Sequence, residues 1–425
     1  MNGRGPTRRR RRAAGASVAA LSALSLAALS LSTLSLAALS VVATARPALA
    51  DGPGAGAPWV VSLGDSAISG EAGRWAGNTN NSPSWIDALG PTAYFDNATN
   101  TAEQIGGCHR SKSAEVYIGN GVNGLNLACS GARTATQPFS SGSDFKPGLD
   151  FYNDGAGHLG QALMLQSFAA SHNVRAVAVL IGANNYHFAD LVQTCVQDFL
   201  LSPSWWPNYC YDDSSVRANF TSTYVAAQTD AIRGAILNVR QAMASAGYAD
   251  SAYTIVAQTY WNPVPRGVQF RYSQSGYTRQ TVGGCGLWNR DADWANDTAF
   301  ATINNSVRNA VAATGLSNVT TMDISQLTNG HRLCENTAGL LEEKGLTSWR
   351  QAGASDQTEW INQIRTLTTL FGPYQLQEDV HANYWGQLAM RNCFRQAFNG
   401  GAVRGGACTG VGGLNSLGEP NTSLH

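Results

Sequence analysis

The sequence predicts an α/β fold in which helices cover both faces of a parallel β-sheet. Four short runs of apolar and β-branched residues, each followed by turn residues or a polar stretch, have the composition of buried strands. Three longer segments repeat apolar residues at the three- and four-residue spacing of one helix face. Strands that alternate with helices are typical of a parallel sheet, whose active site lies at the carboxyl ends of the strands.

The first 50 residues differ in composition from the rest of the chain and match an export signal. An arginine run at 8–12 precedes a stretch of Ala, Leu, Ser and Val, and Ala-Leu-Ala at 48–50 forms a small-x-small cleavage site. The apolar stretch is also long enough to span a bilayer, so an uncleaved membrane anchor is the alternative. We expect a signal peptide at 1–50 and a secreted, extracellular protein.

Without this segment the chain is moderately acidic. Seven of the 28 Lys and Arg residues lie within 1–50, which contains no Asp or Glu, so 21 basic and 28 acidic residues remain. This negative balance gives no electrostatic reason to expect nucleic-acid binding. We therefore expect no nucleic-acid partner.

The predicted elements follow one another along the rest of the chain. The strands are 58–63, 174–181, 253–259 and 318–324, and the helices are 216–246, 298–314 and 383–398. The first two strands end at Gly64 and Gly182, which permit a tight turn. In the longest helix, apolar residues from Val225 to Met243 recur at steps of seven, four, three and four. Residues 399–425, rich in glycine and asparagine, are expected to form an irregular C-terminal tail.

Long polar and aromatic stretches separate these elements, and cysteines lie in or beside each of them. The stretches are 69–125, 195–215 and 262–297. Eight cysteines in an exported chain indicate four disulfides, and sequential pairing (108–129, 195–210, 285–334, 393–408) is the simplest choice. Zinc is the alternative for the cysteines, but the sequence has no CxxC pair or cysteine–histidine cluster. We expect disulfide-held loops, no metal and no cofactor.

The tripeptide Gly64-Asp65-Ser66 closes the first predicted strand, where a parallel sheet places its reactive groups. Glycine permits the turn, and a serine just beyond the strand would face the catalytic edge. An isolated GDS tripeptide is more often a strand-to-helix turn in which the serine caps the helix. Other motifs along the chain decide between these two interpretations.

Four segments, in order along the chain, resemble the sequence blocks of the SGNH, or GDSL-type, serine hydrolases. They are VVSLGDSAISGE around Ser66, CSGA at 129–132, LIGANN at 180–185 and EDVHANYWGQ at 378–387. CHRS at 108–111 and NGHRLC at 329–334 resemble exported actinobacterial members of the family. The resemblance covers most of 58–398. It implies a catalytic domain at 51–398 with a flavodoxin-like, three-layer α/β/α sandwich, enlarged by the disulfide-held loops.

The resemblance also implies the roles of individual residues. Ser66 would attack an ester carbonyl, and His381 would take its proton and return it to the leaving alcohol. An imidazole can do both because its pKa lies near neutrality. The oxyanion donors of the family correspond to the backbone N–H groups of Ser66 and Gly131 and to the side chain of Asn184. Asn185 is the alternative donor, although the G-x-N pattern favours Asn184.

Two positions depart from the family pattern. The third block usually has Asn-Asp, whereas this chain has Asn184-Asn185. The last block is usually D-x-x-H, whereas Glu378 lies three residues before His381 and Asp379 only two. We expect Glu378 to orient the imidazole. Asp379 is the alternative, unless it caps the last helix, and a backbone carbonyl is the third possibility.

The expected function is that of an extracellular esterase, lipase or phospholipase, active as a monomer and in transient contact with lipid surfaces. A carbohydrate esterase that removes acetyl groups is the closest rival, and a non-catalytic carbohydrate-binding protein of the same fold is a third possibility. Tryptophans in the loops would either line an acyl or sugar subsite or pack the loops. These are Trp75, Trp85, Trp205, Trp206, Trp261, Trp288 and Trp294.

Overall fold

A seven-stranded sheet forms the centre of the protein, in a computed structural model that describes residues 53–137, 144–365 and 373–425. The strands are β1 (Pro58–Gly64), β2 (Asn123–Asn126), β3 (Asn173–Leu180), β4 (Thr254–Gln258), β5 (Val319–Asp323), β6 (Gly406–Leu414) and β7 (Pro420–Leu424). Their order across the sheet is β2-β1-β3-β4-β5-β6-β7. Strands β1 to β6 are parallel to their neighbours, and β7 is antiparallel to β6. The four predicted strands correspond to β1, β3, β4 and β5.

The helices of the described residues surround this sheet. They are α1 (Ser66–Ser69), α2 (Gln161–Ala169), α3 (Phe188–Leu201), α4 (Ser214–Ala218), α5 (Ser222–Ser245), α6 (Thr278–Thr281), α7 (Asn289–Trp294), α8 (Phe300–Thr314), α9 (Ala354–Gln357) and α10 (Tyr384–Phe398). The predicted helix 216–246 is divided into α4 and α5. The division lies at Thr221, whose hydroxyl caps the Tyr224 N–H at 3.3 Å and begins a new helix.

Both faces of the sheet are covered. The residues from Val60 to Gly64 in β1, and those from Ala176 to Leu180 in β3, are buried, although successive side chains of a strand point to opposite faces. Helices α2, α5 and α8 pack together, and α10 packs against β6 and β7. The predicted α/β/α sandwich with a central, mostly parallel sheet is confirmed.

The C-terminal segment differs from the expected irregular tail. Residues 399–425 contain β6 and β7, and β6 extends the parallel sheet by pairing Gly406 with Met322 of β5. Glycine has a low strand propensity, so the sequence of β6 gives no strand signal by itself. Pairing with β5 and packing of α10 against both strands supply the order that local propensity lacks.

The disulfide pairing is the predicted sequential one. The bridges are Cys108–Cys129, Cys195–Cys210, Cys285–Cys334 and Cys393–Cys408, and no cysteine is free. The Cys108–Cys129 bridge joins two loops beside the carboxyl end of β1, and the Cys129 N–H donates to the Gly64 carbonyl at 3.1 Å. This bridge therefore contributes to the edge of the sheet where the candidate residues lie.

The predicted export signal at 1–50 lies outside the described residues. Within the described ranges, none of the helices combines the length and the apolar character that a bilayer span requires.

Candidate active site

Ser66 lies in a sharp turn between β1 and α1. Gly64, the last residue of β1, has φ of +144°, and a Cβ atom there would lie 1.9 Å from the Leu180 carbonyl oxygen. Only glycine fits this approach between the ends of β1 and β3. Asp65 caps α1 by accepting the Ala67 N–H at 3.1 Å, and Ser66 is the first residue of the helix. The serine hydroxyl is thus presented at the carboxyl edge of the sheet.

Two buried side chains hold this turn by hydrogen bonds to Gly64 and Asp65. Gln161, at the start of α2, accepts the Gly64 N–H at 2.7 Å and donates to the Gly64 carbonyl at 2.8 Å. Tyr260, just after β4, donates to Asp65 Oδ2 at 2.5 Å and accepts the Ala183 N–H at 3.0 Å. Tyr260 therefore connects the loop of the serine to the loop that follows β3. Burial raises the pKa of Asp65 to about 7, although its hydrogen bond with Tyr260 opposes the rise.

The structure brings His381 to Ser66. His381 Nε2 lies 2.7 Å from Ser66 Oγ, and His381 Nδ1 lies 3.0 Å from the backbone carbonyl oxygen of Asp379. A carbonyl oxygen accepts only, so Nδ1 carries the proton and Nε2 is the acceptor for the serine hydroxyl. Burial lowers the pKa of His381, which favours the neutral imidazole that a general base must be.

A strained turn directs the Asp379 carbonyl toward the imidazole. Val380, between Asp379 and His381, has φ of +65°, a conformation that β-branched residues rarely adopt. Backbone hydrogen bonds on both sides hold it: Val380 N–H donates to the Asn362 carbonyl at 3.1 Å, and Asn362 N–H donates to the His381 carbonyl at 2.8 Å. Strain maintained by surrounding contacts is typical of functional sites.

Glu378 does not orient His381, contrary to our expectation. Its carboxylate is buried and accepts hydrogen bonds from Tyr94 Oη at 2.6 Å, Trp75 Nε1 at 2.8 Å and the Gln375 N–H at 2.9 Å. The short 3₁₀ turn at 376–378 directs the side chain back toward its own N-terminus, away from the imidazole. Of the three possibilities that the sequence left open, the backbone carbonyl is the group that the structure places at Nδ1.

Asp379 has neither of the side-chain roles considered for it. Its carboxylate accepts the Arg365 N–H at 3.2 Å, and its pKa is raised to about 8 by burial. The cap of α10 is instead Asn383, whose side chain accepts the Trp385 N–H at 3.0 Å. The backbone of Asp379 contacts His381, and its side chain does not.

The predicted oxyanion donors lie on loops that follow β1, β2 and β3, which are neighbours in the sheet. Gly131 has φ of +80°, which a glycine adopts without strain. Asn184 lies in the turn after β3 and donates one amide hydrogen to the Ala132 carbonyl at 3.0 Å, next to Gly131. This bond orients the Asn184 amide and leaves its second N–H for a ligand.

Asn185, the alternative donor, is engaged elsewhere. Its amide nitrogen donates to Thr134 Oγ1 at 2.8 Å and to Gln228 Oε1 at 3.0 Å, and its carbonyl oxygen accepts the Thr134 N–H at 3.1 Å. Both amide hydrogens are therefore used. The residue that replaces the aspartate of the family pattern holds the loop after Gly131 and has no amide hydrogen free for a ligand.

Sequence reasoning missed four residues around the site: Gln161, Tyr260, Glu71 and His109. His109 Nδ1 lies 2.7 Å from Glu71 Oε1, and both side chains are buried. Burial opposes the charged form of His109, but the hydrogen bond and the charges of Glu71 and Glu103 outweigh burial and raise its pKa. His109 belongs to the CHRS segment, which the resemblance singled out without a role. Glu71 ends the VVSLGDSAISGE segment, in which the resemblance gave it no role, and Gln161 and Tyr260 carry no sequence signal.

The seven loop tryptophans differ in burial, and Trp85 and Trp294 are half-buried. Trp75, Trp261 and Trp288 are buried, whereas Trp205 and Trp206, after α3, are 81% and 75% exposed. Within the described part of the chain, no group of three or more His, Cys, Asp or Glu side chains is arranged to hold a metal ion.

Comparisons with known proteins found similar folds among solved structures. No protein-family model matches the chain, and no curated protein sequence matches it. An extracellular lipase from Streptomyces rimosus is 17% identical, covering 81% of this chain and 100% of that one, with a TM-score of 0.42. Phospholipase A1 from Streptomyces albidoflavus is 19% identical, covering 82% and 100%, with a TM-score of 0.42. A family two carbohydrate esterase from Clostridium thermocellum is 11% identical, covering 81% and 63%, with a TM-score of 0.34.

Proposed function

We propose that the chain is a secreted serine hydrolase of the SGNH type, which cleaves carboxylic esters through an acyl-enzyme on Ser66. The observation that supports this most strongly is the 2.7 Å contact between Ser66 Oγ and His381 Nε2. These residues are 315 positions apart in sequence, and each lies in the motif that the family resemblance identified. A serine hydroxyl bonded to a neutral imidazole is the arrangement that nucleophilic ester cleavage requires.

The mechanism follows from the positions of the groups. His381 accepts the proton of Ser66 as Oγ attacks the ester carbonyl, and the Asp379 carbonyl holds the imidazole in the required tautomer. The N–H groups of Ser66, Gly131 and Asn184 stabilise the negative oxygen of the tetrahedral intermediate. His381 then protonates the leaving alcohol. Water, deprotonated by the same imidazole, cleaves the acyl-enzyme and restores Ser66.

Acyl lipids are the substrate class that we favour. Leu201, Trp205 and Trp206 form an exposed apolar tip between Cys195 and Cys210. Exposed tryptophans favour the interface between water and lipid, which supports transient contact with a lipid surface. The names of two similar structures, a lipase and a phospholipase A1, agree with this choice. Acetylated polysaccharide is the alternative, in line with the similar carbohydrate esterase.

Secretion and a monomeric state are parts of the same proposal. Four disulfides among the described residues suit an oxidising compartment. The composition of residues 1–50 supports removal of an export signal, which would leave a mature protein that begins near Asp51. The mature part would be one hydrolase domain, which includes the two C-terminal strands.

Two measurements on the purified mature protein test the proposal. A fluorophosphonate probe should label the wild-type protein and should not label Ser66→Ala, because only an activated serine reacts. Hydrolysis of p-nitrophenyl esters should fall on the order of 10⁶-fold in Ser66→Ala and in His381→Ala. His187→Asn, which removes a half-buried histidine near Asn184, serves as the control and should retain activity. Unchanged hydrolysis by Ser66→Ala would disprove the proposed nucleophile.

The length of the acyl chain distinguishes the two substrate classes. A lipid esterase should prefer p-nitrophenyl esters of medium or long chains and should hydrolyse phospholipid or triacylglycerol dispersions. Activity confined to the acetate ester and to acetylated sugars would instead support the carbohydrate esterase. Absence of labelling and of hydrolysis in the folded wild-type protein would support a binding protein.

A further inference from the structure

A buried carboxylate lies beside the Ser66–His381 pair and has no place in the mechanism above. Glu71 follows α1, and its backbone N–H donates to the Ser66 carbonyl at 3.2 Å, so it belongs to the same turn as the serine. Its side chain is fully buried. Oε1 contacts His109 Nδ1 at 2.7 Å, and Oε2 has no hydrogen-bond partner among the described residues. A buried carboxylate oxygen without a hydrogen bond costs free energy, so its presence calls for an explanation.

His109 is held between the serine turn and the loop of His381. Its ring stacks on Tyr94 with centroids 4.4 Å apart, and its Nε2 lies 2.8 Å from the side-chain amide of Gln377. Its backbone carbonyl accepts the Ser69 hydroxyl of α1 at 3.3 Å. Gln377 also contacts His381 through its backbone. The Glu71–His109 pair thus touches both segments that form the candidate dyad.

The carboxylates nearest to His381 in sequence are unsuitable as its anionic partner. Burial raises the pKa of Asp379 to about 8, so this side chain is mostly protonated at pH 7. Burial and the charge of Glu71 raise the pKa of Glu378, and three hydrogen-bond donors already surround that carboxylate. The imidazolium formed during ester cleavage still requires a negative charge nearby, because the site is buried.

We propose, on the basis of the function proposed above, that Glu71 is a positioning residue that supplies this negative charge to His381, with His109 as its anchor. Its role is that of the carboxylate in a catalytic triad, performed from the serine turn and without a direct hydrogen bond to the imidazole. His109 holds Oε1, and Oε2 is buried without a hydrogen-bond partner among the described residues.

The charges that act on His381 come from Glu71 and His109, and they act in opposite directions. Burial lowers the pKa of His381, the charge of Glu71 raises it, and the charge of His109 lowers it. On the loop of His381 itself, the Glu378 carboxylate is held by Tyr94 and Trp75, and the Asp379 carboxylate accepts the Arg365 N–H. Lys146, held by the Gly107 carbonyl at 2.7 Å, adds a positive charge near Glu71. Removing Glu71 and removing His109 should therefore change the titration of His381 with opposite signs.

The test is the pKa of the His381 imidazole, measured by NMR in the Ser66→Ala background and by the acid limb of kcat/KM in the Ser66 enzyme. In Glu71→Gln, we expect the pKa to fall by about one unit, which is tenfold weaker proton binding. We also expect kcat to fall roughly tenfold with KM nearly unchanged, because the missing charge acts on the transition state. In His109→Gln, the pKa should rise. Glu71→Asp, which retains the charge, should shift the pKa less than Glu71→Gln.

Glu103→Gln is the matched control. Glu103 Oε1 also lies near His109, at 3.5 Å from Nε2, and Glu103 accepts the His109 N–H at 3.1 Å, but Glu103 does not face His381. Because the charge of Glu103 favours protonated His109, this variant should not lower the His381 pKa, and a small rise in the direction of His109→Gln is expected. An unchanged His381 pKa in folded Glu71→Gln would overturn the inference. Shifts of the same sign in Glu71→Gln and His109→Gln would also overturn it.

His109→Gln decides the question if Glu71→Gln does not fold. A His381 pKa that does not rise in this variant would contradict the inference. The NMR titration does not depend on turnover, so it separates this inference from the proposed function. If the wild-type protein hydrolyses no ester, the proposed function fails, and the titration still shows whether Glu71 supports the charge of His381.

Discussion

The serine half and the histidine half of the candidate site are positioned by different kinds of interaction. Ser66, Gly131 and Asn184 lie at the carboxyl ends of adjacent strands, and the bonds that hold their loops are mainly short contacts to backbone groups of those strands. His381 lies in an irregular loop, where a strained Val380 and several buried ionisable groups determine its place and its charge.

The serine half is therefore positioned mainly by backbone geometry, whereas the histidine half depends on electrostatics. Strand ends in a parallel sheet bring loops together with little freedom, so changes in the serine half should mainly reduce the rate of transition-state formation. The histidine half depends on charges, so changes there should alter pH dependence as well. The three pairs of variants below test this contrast, from the largest expected effect to the smallest.

Only one of two adjacent asparagines should act as an oxyanion donor. Asn184→Ala should lower kcat by about 10²–10³-fold with little change in KM, because it removes a donor to the developing oxyanion. Asn185→Ala should retain kcat within about threefold and lose about 1–3 kcal/mol of stability, because it removes bonds to Thr134 and Gln228. Steady-state kinetics and thermal unfolding measure both. Equal losses of kcat in the two variants would remove Asn184 from the oxyanion hole.

Tyrosine hydroxyls at the two ends of β3 provide a second, smaller contrast. Tyr260→Phe breaks the bridge between Asp65 and Ala183 at the carboxyl end, and we expect kcat to fall roughly tenfold. Tyr248→Phe removes comparable bonds at the amino end, to Val174 and His172, and should leave kcat unchanged. Both variants should lose about 1–3 kcal/mol on unfolding. A similar kcat for the two variants would show that the bridge has only a structural role.

The smallest effect on activity is expected at Asp379. Asp379→Asn should retain kcat within about threefold, because the backbone carbonyl, and not the side chain, holds His381. Asp379 has a folded pKa of about 8 against about 3.8 unfolded, so stability from this group is complete below pH 3.8 and declines as pH rises toward 8. As pH rises from 5 to 8, the free energy of unfolding should therefore decrease less in Asp379→Asn than in the wild type. Thermal unfolding across this range is the measurement, with Asp190→Asn at an exposed position as the control.

The parts of the fold that could be predicted are those with a distinctive local sequence pattern. The four predicted strands have dense apolar, β-branched runs, and each appears in the sheet within a residue or two of its predicted ends. Strand β2, with the sequence NGLN, and the glycine-rich β6 have no such pattern. Their order comes from pairing with β1 and β5, which are distant in sequence.

The same distinction applies to the candidate site. Motif resemblance identified Ser66, Gly131, Asn184 and His381, because each motif is short and contiguous. It favoured Glu378 as the partner of His381 on the basis of residue spacing alone. Spacing does not specify side-chain direction, and in the folded chain Trp75 and Tyr94 engage that carboxylate instead.

The sequence by itself determined the α/β class, the positions of four strands along the chain, the even number of cysteines available for four disulfides and the identity of the serine and histidine motifs. Only the tertiary structure decided that a backbone carbonyl orients His381, that Glu71 and His109 lie beside it, and that the last 27 residues complete the sheet. The physical reason is that these features depend on contacts between distant parts of the chain, and even the turn that directs the Asp379 carbonyl is held by backbone bonds to Asn362. Local composition and spacing carry no information about such contacts.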